Sequence, residues 1–280
     1  MTRLQVADRS WFEELRAAYP NGASHSLSWE ERIYVSAMRG VEAHILGDLE
    51  AANQLATELL VESAGELNST HAAGGLLLAI ARDAGGVAML VPAVQSIAES
   101  NPRIAAFSAA FAAARVIAGD VAGSRAIVEQ HAAAGFDNVP HEHVYLLYLG
   151  LISEAVALLD AAEYVEPLLE LLAPYAGQMC VGAHGVVVLS SMDTYRGMLA
   201  TVVGDPRGRE WFEAGMEVEE RLGAVLLRAR TAAWKALWLR RHGEGTSEAG
   251  ALIADARAVV DAHPRAAGLR ETIDLLDTRA

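Results

Sequence analysis

The sequence predicts an all-α fold, a right-handed superhelix of about six helix hairpins with a capping helix at each end. The first observation behind this prediction is composition, because 54 of the 280 residues are alanine and only 6% are aromatic. Alanine is the best helix former and lets helices approach closely. The second observation is apolar residues at helical spacing. The third is recurrent turns, about 34 to 43 residues apart, a spacing typical of helix-hairpin repeats.

The turns carry a shared signal, a Gly-Asp pair at positions 47–48, 119–120 and 204–205. Glycine ends a helix because it adopts the left-handed conformation readily. The aspartate that follows accepts hydrogen bonds from the free N–H groups of the next helix. Each pair therefore predicts the end of one helix and the start of another.

The helices follow from these signals in chain order. Residues 28–31 (Ser-Trp-Glu-Glu) match a capping box, which predicts a helix to about Leu46. Asp48 begins the next helix, with one apolar face made of Leu49, Ala52, Leu55, Ala56, Leu59 and Leu60. The further predicted pairs are 70–83 with 87–99, 103–118 with 121–134, 140–158 with 161–173, 185–203 with 206–222, and 224–241 with 247–262. Capping helices are expected near 8–18 and 266–278. No linker divides the chain, so residues 1–280 are predicted to form one solenoid domain.

The charge balance argues against several function classes. The formal net charge is −14 and the pI is near 5.0, whereas nucleic-acid binding needs clustered cations. Lys235 is the only lysine, so a phosphate-binding loop with its Gly-Lys-Ser/Thr pattern is not present. We therefore expect no direct nucleic-acid partner.

The single cysteine, Cys180, excludes an intrachain disulfide framework and a thiolate zinc cluster. The N-terminal residues lack the apolar segment of a secretory signal. The longest apolar run, Ala72 to Val94, is interrupted by Arg82 and Asp83, so no membrane span is expected. These features predict a cytoplasmic protein without metal or other cofactor.

Three stretches carry a resemblance to a known family. They are Gly135–Pro140, Leu168–Gly177 followed by Asp193–Ala200, and Trp211–Met216 followed by Arg221–Ala224 and Ala229–Thr231. In order and spacing the chain resembles the C-terminal tetratricopeptide-like helical-repeat region of large bacterial LuxR-type and cyclase-linked ATPase transcriptional regulators. The resemblance covers residues 103–268 well and residues 1–100 weakly.

The resemblance implies a signalling context without supplying a ligand. The ATPase, cyclase and helix-turn-helix modules of that family are not found in this sequence. The chain is therefore expected to act alone or as part of a larger regulator, with a protein or peptide partner such as an ATPase, a cyclase or a transcription factor.

Asp137 with His141, Glu142 and His143 is the densest group of metal-ligating residues. Two imidazoles and a carboxylate can hold a metal, but His-x-His on a helix points the two rings apart. Asp137 and Asn138 are also ordinary helix N-caps, and this second interpretation is favoured. No metal site is predicted.

The glycine-rich stretch from Val181 to Gly185 precedes a predicted helix, where free N–H groups can hold an anion. The alternative is a flexible turn between repeats. His184 lies four residues after Cys180, and a helix there would let the two side chains pair as a nucleophile and its base. The glycines at 182 and 185 argue against that geometry.

Polar residues on inner helices are candidates for the concave face. Asp193 and Arg196 either line it with Tyr195 or satisfy one another as a buried pair. A basic stretch with two interleaved tryptophans contains Arg228, Arg230, Trp234, Lys235, Trp238, Arg240 and Arg241. Tryptophans four residues apart predict an apolar stripe, with the cations on a solvated basic face. The alternative for this stretch is contact with nucleic acid or with an acidic partner.

The predicted function is a non-catalytic protein-interaction or regulatory module that docks a partner along its inner helices. One alternative is a small-molecule sensor with a pocket between inner helices, and another is a self-assembling structural unit. An enzyme is disfavoured because no catalytic constellation is recognisable. The predicted partner- or ligand-binding residues are Tyr145, Tyr148, His184, Asp193, Tyr195, Arg196 and Arg230.

Overall fold

The computed structural model describes residues 3–20, 22 and 27–279, which form fourteen α-helices and one short β-hairpin. The prediction of an all-α protein is confirmed apart from the hairpin. The helices are α1 (Ser10–Ala18), α2 (Trp29–Ile45), α3 (Leu49–Glu62), α4 (Leu67–Ala84), α5 (Val87–Ser100), α6 (Ala105–Ile117), α7 (Val121–Ala134), α8 (Tyr145–Leu158), α9 (Val165–Leu172), α10 (Met192–Val203), α11 (Gly208–Leu222), α12 (Val225–Arg241), α13 (Thr246–Ala262) and α14 (Ala267–Thr278).

The helix ends show how local signals fix the elements. Ser28 caps α2 through a complete capping box with Glu31, as the sequence predicts. Asp48 and Asp120 accept hydrogen bonds from the first turns of α3 and α7. The third Gly-Asp pair differs, because Asp205 binds the Arg207 N–H while α11 begins only at Gly208.

A β-hairpin replaces the start of the helix predicted over 185–203. Strand β1 (Met179–Gly182) pairs antiparallel with strand β2 (Val187–Ser191), and a single 3₁₀ turn over 183–185 joins them. All nine strand residues are buried. A short continuous apolar run looks the same in a buried strand and a buried helix, so the β-branched valines here were misassigned. As a result α10 begins at Met192.

Consecutive helices pack on one another along the chain, and α8, α10 and α12 lie side by side at the centre. Thirteen of the 14 residues of α8 and 13 of the 17 residues of α12 are buried. Side chains are thus buried on every side of these two helices, which lie inside the protein rather than on its surface. The central helices therefore present little open surface.

The last helices contact the first ones. Helix α14 packs against α4, and α12 contacts α2. One contiguous cluster of buried apolar side chains includes residues from Leu4 to Leu276. In the part of the chain that the structure describes, no helix combines the length and apolarity needed to cross a membrane.

Candidate functional site

A cavity of about 230 Å³ lies between α4, α6, the start of α8 and the hairpin. We call it the histidine-rimmed cavity. Most of its wall is apolar. The apolar lining residues are Ala72, Gly75, Leu78, Ala79, Ile104, Ala106, Phe107, Ala110, Val144, Leu147, Leu151, Ala183, Val187 and Leu189, and the polar ones are Asn68, His71, Arg82, Glu142, His143 and His184. A mostly apolar concave site with a few convergent polar groups is the usual form of a small-molecule site.

Three imidazoles from distant parts of the chain converge on this cavity. His71 comes from α4 and meets the Phe107 ring edge-on, with 5.0 Å between ring centroids. His143 precedes α8, and its ring stacks on His184 of the hairpin turn at 4.5 Å. The three rings give the cavity flat aromatic surfaces and nitrogen atoms that can donate or accept hydrogen bonds.

The hairpin turn holds His184 in an unfavourable backbone conformation. Ala183 has φ of 49° and His184 has φ of 57°, and both are left-handed values. This region costs an L-residue roughly 1–2 kcal/mol. Such conformations persist where surrounding structure fixes them, often at binding sites. Here the turn brings His184 to the rim of the cavity.

Two imidazoles of the rim, His71 and His143, have pKa values below the ordinary one. Burial lowers the pKa of His71, and burial together with the neighbouring His184 ring lowers the pKa of His143. Desolvation disfavours the charged form of a histidine. At neutral pH these two rings are therefore uncharged and suit an apolar or neutral ligand.

Beneath the cavity lies a cluster of buried charges. Arg82 donates to Glu154 at 2.5 Å, with both side chains about 5% exposed. Asp83 accepts from Arg230 at 2.8 Å and contacts His44 Nε2 at 2.8 Å. Burial opposes ionisation of Asp83, but these neighbours hold the pKa of its carboxyl below the usual value. The cluster ties α2, α4, α8 and α12 together.

The predicted tyrosines are buried and do not line this cavity. Tyr148 and Tyr195 have no exposed surface, and their hydroxyl groups have no hydrogen-bond partner among the described residues. Burial raises the pKa of both. Tyr145 and Tyr148 line a separate space of about 20 Å³, which has room for about one water molecule.

Asp193 and Arg196 form the ion pair that the sequence offered as one alternative, with Asp193 buried and the Arg196 side chain 16% exposed. Their atoms are 2.8 Å apart, and the Arg196 guanidinium lies 4.4 Å from the centre of the Trp211 ring. Asp193 also accepts from the Gly177 N–H at 2.6 Å. This pair fixes the chain just before the hairpin. Of the seven predicted residues, His184 alone lines the histidine-rimmed cavity.

The expectation of a solvated basic face on α12 holds for Arg228, whose side chain is 46% exposed, and is wrong for Arg230 and Lys235. Arg230 and Lys235 are only 3% and 6% exposed. The Lys235 amine lies 2.9 Å from carboxylates of both Glu213 and Glu248. At the end of the helix, Arg240 pairs with Asp277 and Arg241 pairs with Asp160. Trp234 and Trp238 are buried as predicted, so these cations serve packing.

The dense group around His141 separates in the structure. His141 stacks on Tyr145 at 4.1 Å, whereas His143 stacks on His184. Among the described residues, no three His, Cys, Asp or Glu side chains come together as metal ligands do. The interpretation of Asp137 and Asn138 as helix N-caps is also wrong. Helix α8 begins at Tyr145, and its N-cap residue is Val144, which makes no side-chain cap.

Cys180 and His184 do not pair. Cys180 is fully buried and its thiol donates to the Leu146 carbonyl at 3.1 Å. Burial raises the pKa of this thiol. The stretch 181–185 is neither an anion loop that begins a helix nor a long flexible turn, since Val181 and Gly182 belong to β1.

Sequence reasoning missed His71, Phe107 and the buried charges other than Arg230. The signal for the charges was visible, because Arg82 and Asp83 interrupt an otherwise apolar run. Charged residues are almost never fully buried unless they are paired, so a charge inside an apolar run indicates a partner. No local signal links His71 to residues 143 and 184.

The chain matches no protein-family model, no curated protein and no solved structure. The resemblance to regulator repeats therefore stays a prediction from the sequence.

Proposed function

We propose that the protein is a non-catalytic, small-molecule-sensing regulatory domain, built from helical repeats along a right-handed superhelix in a bacterial cytoplasmic signalling system. The observation that carries the proposal is the histidine-rimmed cavity of about 230 Å³ between α4, α6, α8 and the hairpin. The sequence offered such a small-molecule sensor as an alternative, with a pocket between inner helices and other lining residues.

The size of the cavity indicates the size of the ligand. An apolar cavity of about 150 Å³ holds benzene. The 230 Å³ available here suits a ligand of roughly eight to eleven non-hydrogen atoms, the size range of indole and naphthol. Burying its apolar surface supplies the affinity, at roughly 25 cal/mol per Å².

The rim indicates the chemistry of the ligand. The stacked His143 and His184 rings and the edge of Phe107 suit an aromatic ring. Because His71 and His143 have lowered pKa values, a neutral hydroxyl or N–H group fits the rim better than a strong anion. We therefore infer a small aromatic ligand with one such polar group.

Binding rather than catalysis fits the surroundings of the three imidazoles. A catalytic histidine is normally oriented by a hydrogen bond to a carboxylate or carbonyl, and it contacts a nucleophile. Across the described parts of the chain, His71, His143 and His184 have no side-chain hydrogen bond to such groups.

Partner docking along the inner helices has less support. A docking groove needs exposed side chains, and α8, α10 and α12 are mostly buried. A ligand that joins α4 to α6 and the hairpin can instead change how these elements pack. An ATPase, cyclase or transcription factor that contacts the outer surface would detect that change.

Ligand binding is tested by thermal denaturation and calorimetry with indole and 1-naphthol. A ligand at about 100 times its Kd stabilises the folded state by about 2.7 kcal/mol, which raises Tm by roughly 5 °C for a domain of this size. Ala72→Phe places a ring in the cavity from the half-buried surface of α4. We expect this variant to fold and to lose the response.

Ala254→Phe is the matched control. It adds the same ring on an exposed position of α13, outside the cavity, and should leave the response unchanged. The proposal fails if neither compound raises Tm, or if Ala72→Phe responds as strongly as the unmodified protein.

A further inference from the structure

A second cavity, of about 340 Å³, lies next to the histidine-rimmed cavity. We call it the second cavity. The end of α4, the end of α6, the later part of α8 and helices α12 and α14 surround it. Apolar and charged side chains share its lining, and the apolar ones include Val116, Ile117, Leu158, Trp234 and Leu275. These apolar residues suit the apolar part of a ligand.

Helix α8 lines both cavities with one continuous face. Leu147 and Leu151 line the histidine-rimmed cavity, whereas Glu154 and Leu158 line the second cavity. These four positions are three or four residues apart, which places them on one side of a helix. The two cavities are therefore successive sections of one groove along α8.

Helix α4 shows the same succession. Gly75 and Ala79 line the histidine-rimmed cavity, Arg82 lines both cavities, and Gly85 lines the second cavity alone. Arg82 therefore stands at the point where the groove is divided.

The ion pair of Arg82 and Glu154 forms a partition across the groove, from α4 to α8. Arg82 Nη2 donates to Glu154 Oε1 at 2.5 Å, and both side chains are about 5% exposed. A ligand that pushed the two side chains apart would leave buried charges without their partners, which is costly. An apolar ligand offers no replacement hydrogen bonds, so it cannot open the partition.

The histidines lie at the opposite end of the first section of the groove. His71 precedes Arg82 by eleven residues on α4, which is about three helical turns. On the other wall, His143 precedes the residues of α8 that line the cavity. A ligand whose polar group is held by the histidines therefore extends towards Arg82.

We propose that Arg82 and Glu154 determine the specificity of the histidine-rimmed cavity by limiting the length of the ligand that it accepts. The ligand class is then a small aromatic compound with at most a short apolar chain, because a longer chain meets the ion pair. This inference rests on the proposed function, since it concerns a ligand of the same cavity.

The test is calorimetry with 4-ethylphenol, 4-butylphenol and 4-hexylphenol, which share one hydroxyl group and differ in chain length. Each buried methylene should strengthen binding roughly fourfold. We expect the affinity of the unmodified protein to rise from 4-ethylphenol to 4-butylphenol, which is about as large as 1-naphthol. From 4-butylphenol to 4-hexylphenol we expect no further gain.

Arg82→Ala combined with Glu154→Gln opens the partition without leaving an unpaired charge. The chain of 4-hexylphenol then enters the second cavity, and this variant should bind it about tenfold more tightly than 4-butylphenol. If this variant does not fold, Arg82→Met with Glu154→Ala opens the partition from the α8 side and carries the same expectation.

Arg82→Met combined with Glu154→Gln is the matched control. It removes the same two charges but keeps a long, flexible side chain in the partition. Like the unmodified protein, it should gain nothing from the longer chain, so that loss of the ion pair alone is separated from opening of the groove.

The inference is wrong if the unmodified protein already gains about tenfold from the two added methylenes. It is also wrong if the control gains as much as the opened variant, or if a folded opened variant gains nothing. In each of these cases, binding of indole, 1-naphthol or 4-butylphenol to the unmodified protein would leave the proposed function standing. If none of these compounds binds, the proposed function and the inference both fail.

Discussion

Glu219 is the buried acid whose titration should be measurable in the whole protein. Its Oε1 atom accepts hydrogen bonds from the Ser191 N–H, Thr194 and Thr231, each at 3.0 Å. Its Oε2 atom has no partner among the described residues. Burial raises the pKa of this carboxyl to about 7, against the lowering effect of those donors. The protonated form is therefore favoured in the folded state below that pH.

Glu219→Gln should flatten the dependence of stability on pH. A carboxyl with a raised folded-state pKa contributes stability that is present below its unfolded pKa and is lost as pH rises through about 7. The shift corresponds to about 3 kcal/mol. The amide keeps the Oε1 acceptor and cannot ionise. Denaturant unfolding from about pH 5 to about pH 8 should therefore show a smaller loss of stability in the variant.

Glu220→Gln is the control, since that side chain is 69% exposed and contacts Arg228 only at 3.9 Å. Its pH profile should follow the unmodified protein. If Glu219→Gln also follows it, Glu219 is ionised throughout this range.

Helices α4 and α8 differ in how closely their neighbours approach. A Cβ atom added at Gly74 of α4 meets nothing within 4 Å. At Gly150 of α8 it would lie 2.9 Å from Cys180 Sγ and from the Tyr195 ring. The two contacts at Gly150 are too close for a Cβ atom, and Cys180 and Tyr195 are both fully buried. The glycine of α8 lets the hairpin and α10 approach this helix.

Alanine at these two positions should therefore have opposite effects. Gly74→Ala is expected to stabilise the protein by about 0.5–1 kcal/mol through helix propensity. Gly150→Ala gains the same propensity but must displace the ring and the thiol, so a net loss of about 1–3 kcal/mol is expected. Urea denaturation of both variants checks the contrast, and equal effects would show that α8 is loosely packed.

Local signals predicted the helices well and failed where the structure depends on distant contacts. The capping residues Ser28, Asp48 and Asp120 are followed by the helices they predict. The hairpin was missed because the run from Val186 to Leu189 has no alternation, and its strand pairing depends on the helices that bury it. The histidine-rimmed cavity was missed since its wall assembles from segments far apart in sequence. Only His184 was predicted among its residues.

At the scale of the whole molecule, the last helix meets α4 through a close backbone contact. The Gly268 backbone approaches Gly85 so closely that a Cβ atom would lie 2.6 Å from the Gly85 nitrogen and 2.8 Å from the Arg82 carbonyl. Both obstacles are backbone atoms, which cannot rotate away as a side chain can. This contact also forms part of the wall of the second cavity, of about 340 Å³.

Gly268→Ala should separate α14 from α4. We expect a loss of about 1–3 kcal/mol and faster amide hydrogen exchange in α14 and at the end of α4. Gly250→Ala, at an open position of α13, is the matched control and should leave exchange in α14 unchanged. Unaltered exchange in the Gly268 variant would mean that the two ends of the fold are not coupled.

The Asp83–Arg230 ion pair cannot form until the ribosome has added Arg230. The two residues are 147 positions apart, and a ribosome adds roughly 5–20 residues per second. Asp83 is therefore synthesised about 7–30 s before Arg230. During that interval His44 is already available to this carboxylate but the ion pair with Arg230 is not, so the N-terminal half emerges from the ribosome before its final packing is available. A nascent chain stalled before Arg230 should be more readily cleaved by protease than one stalled after α14.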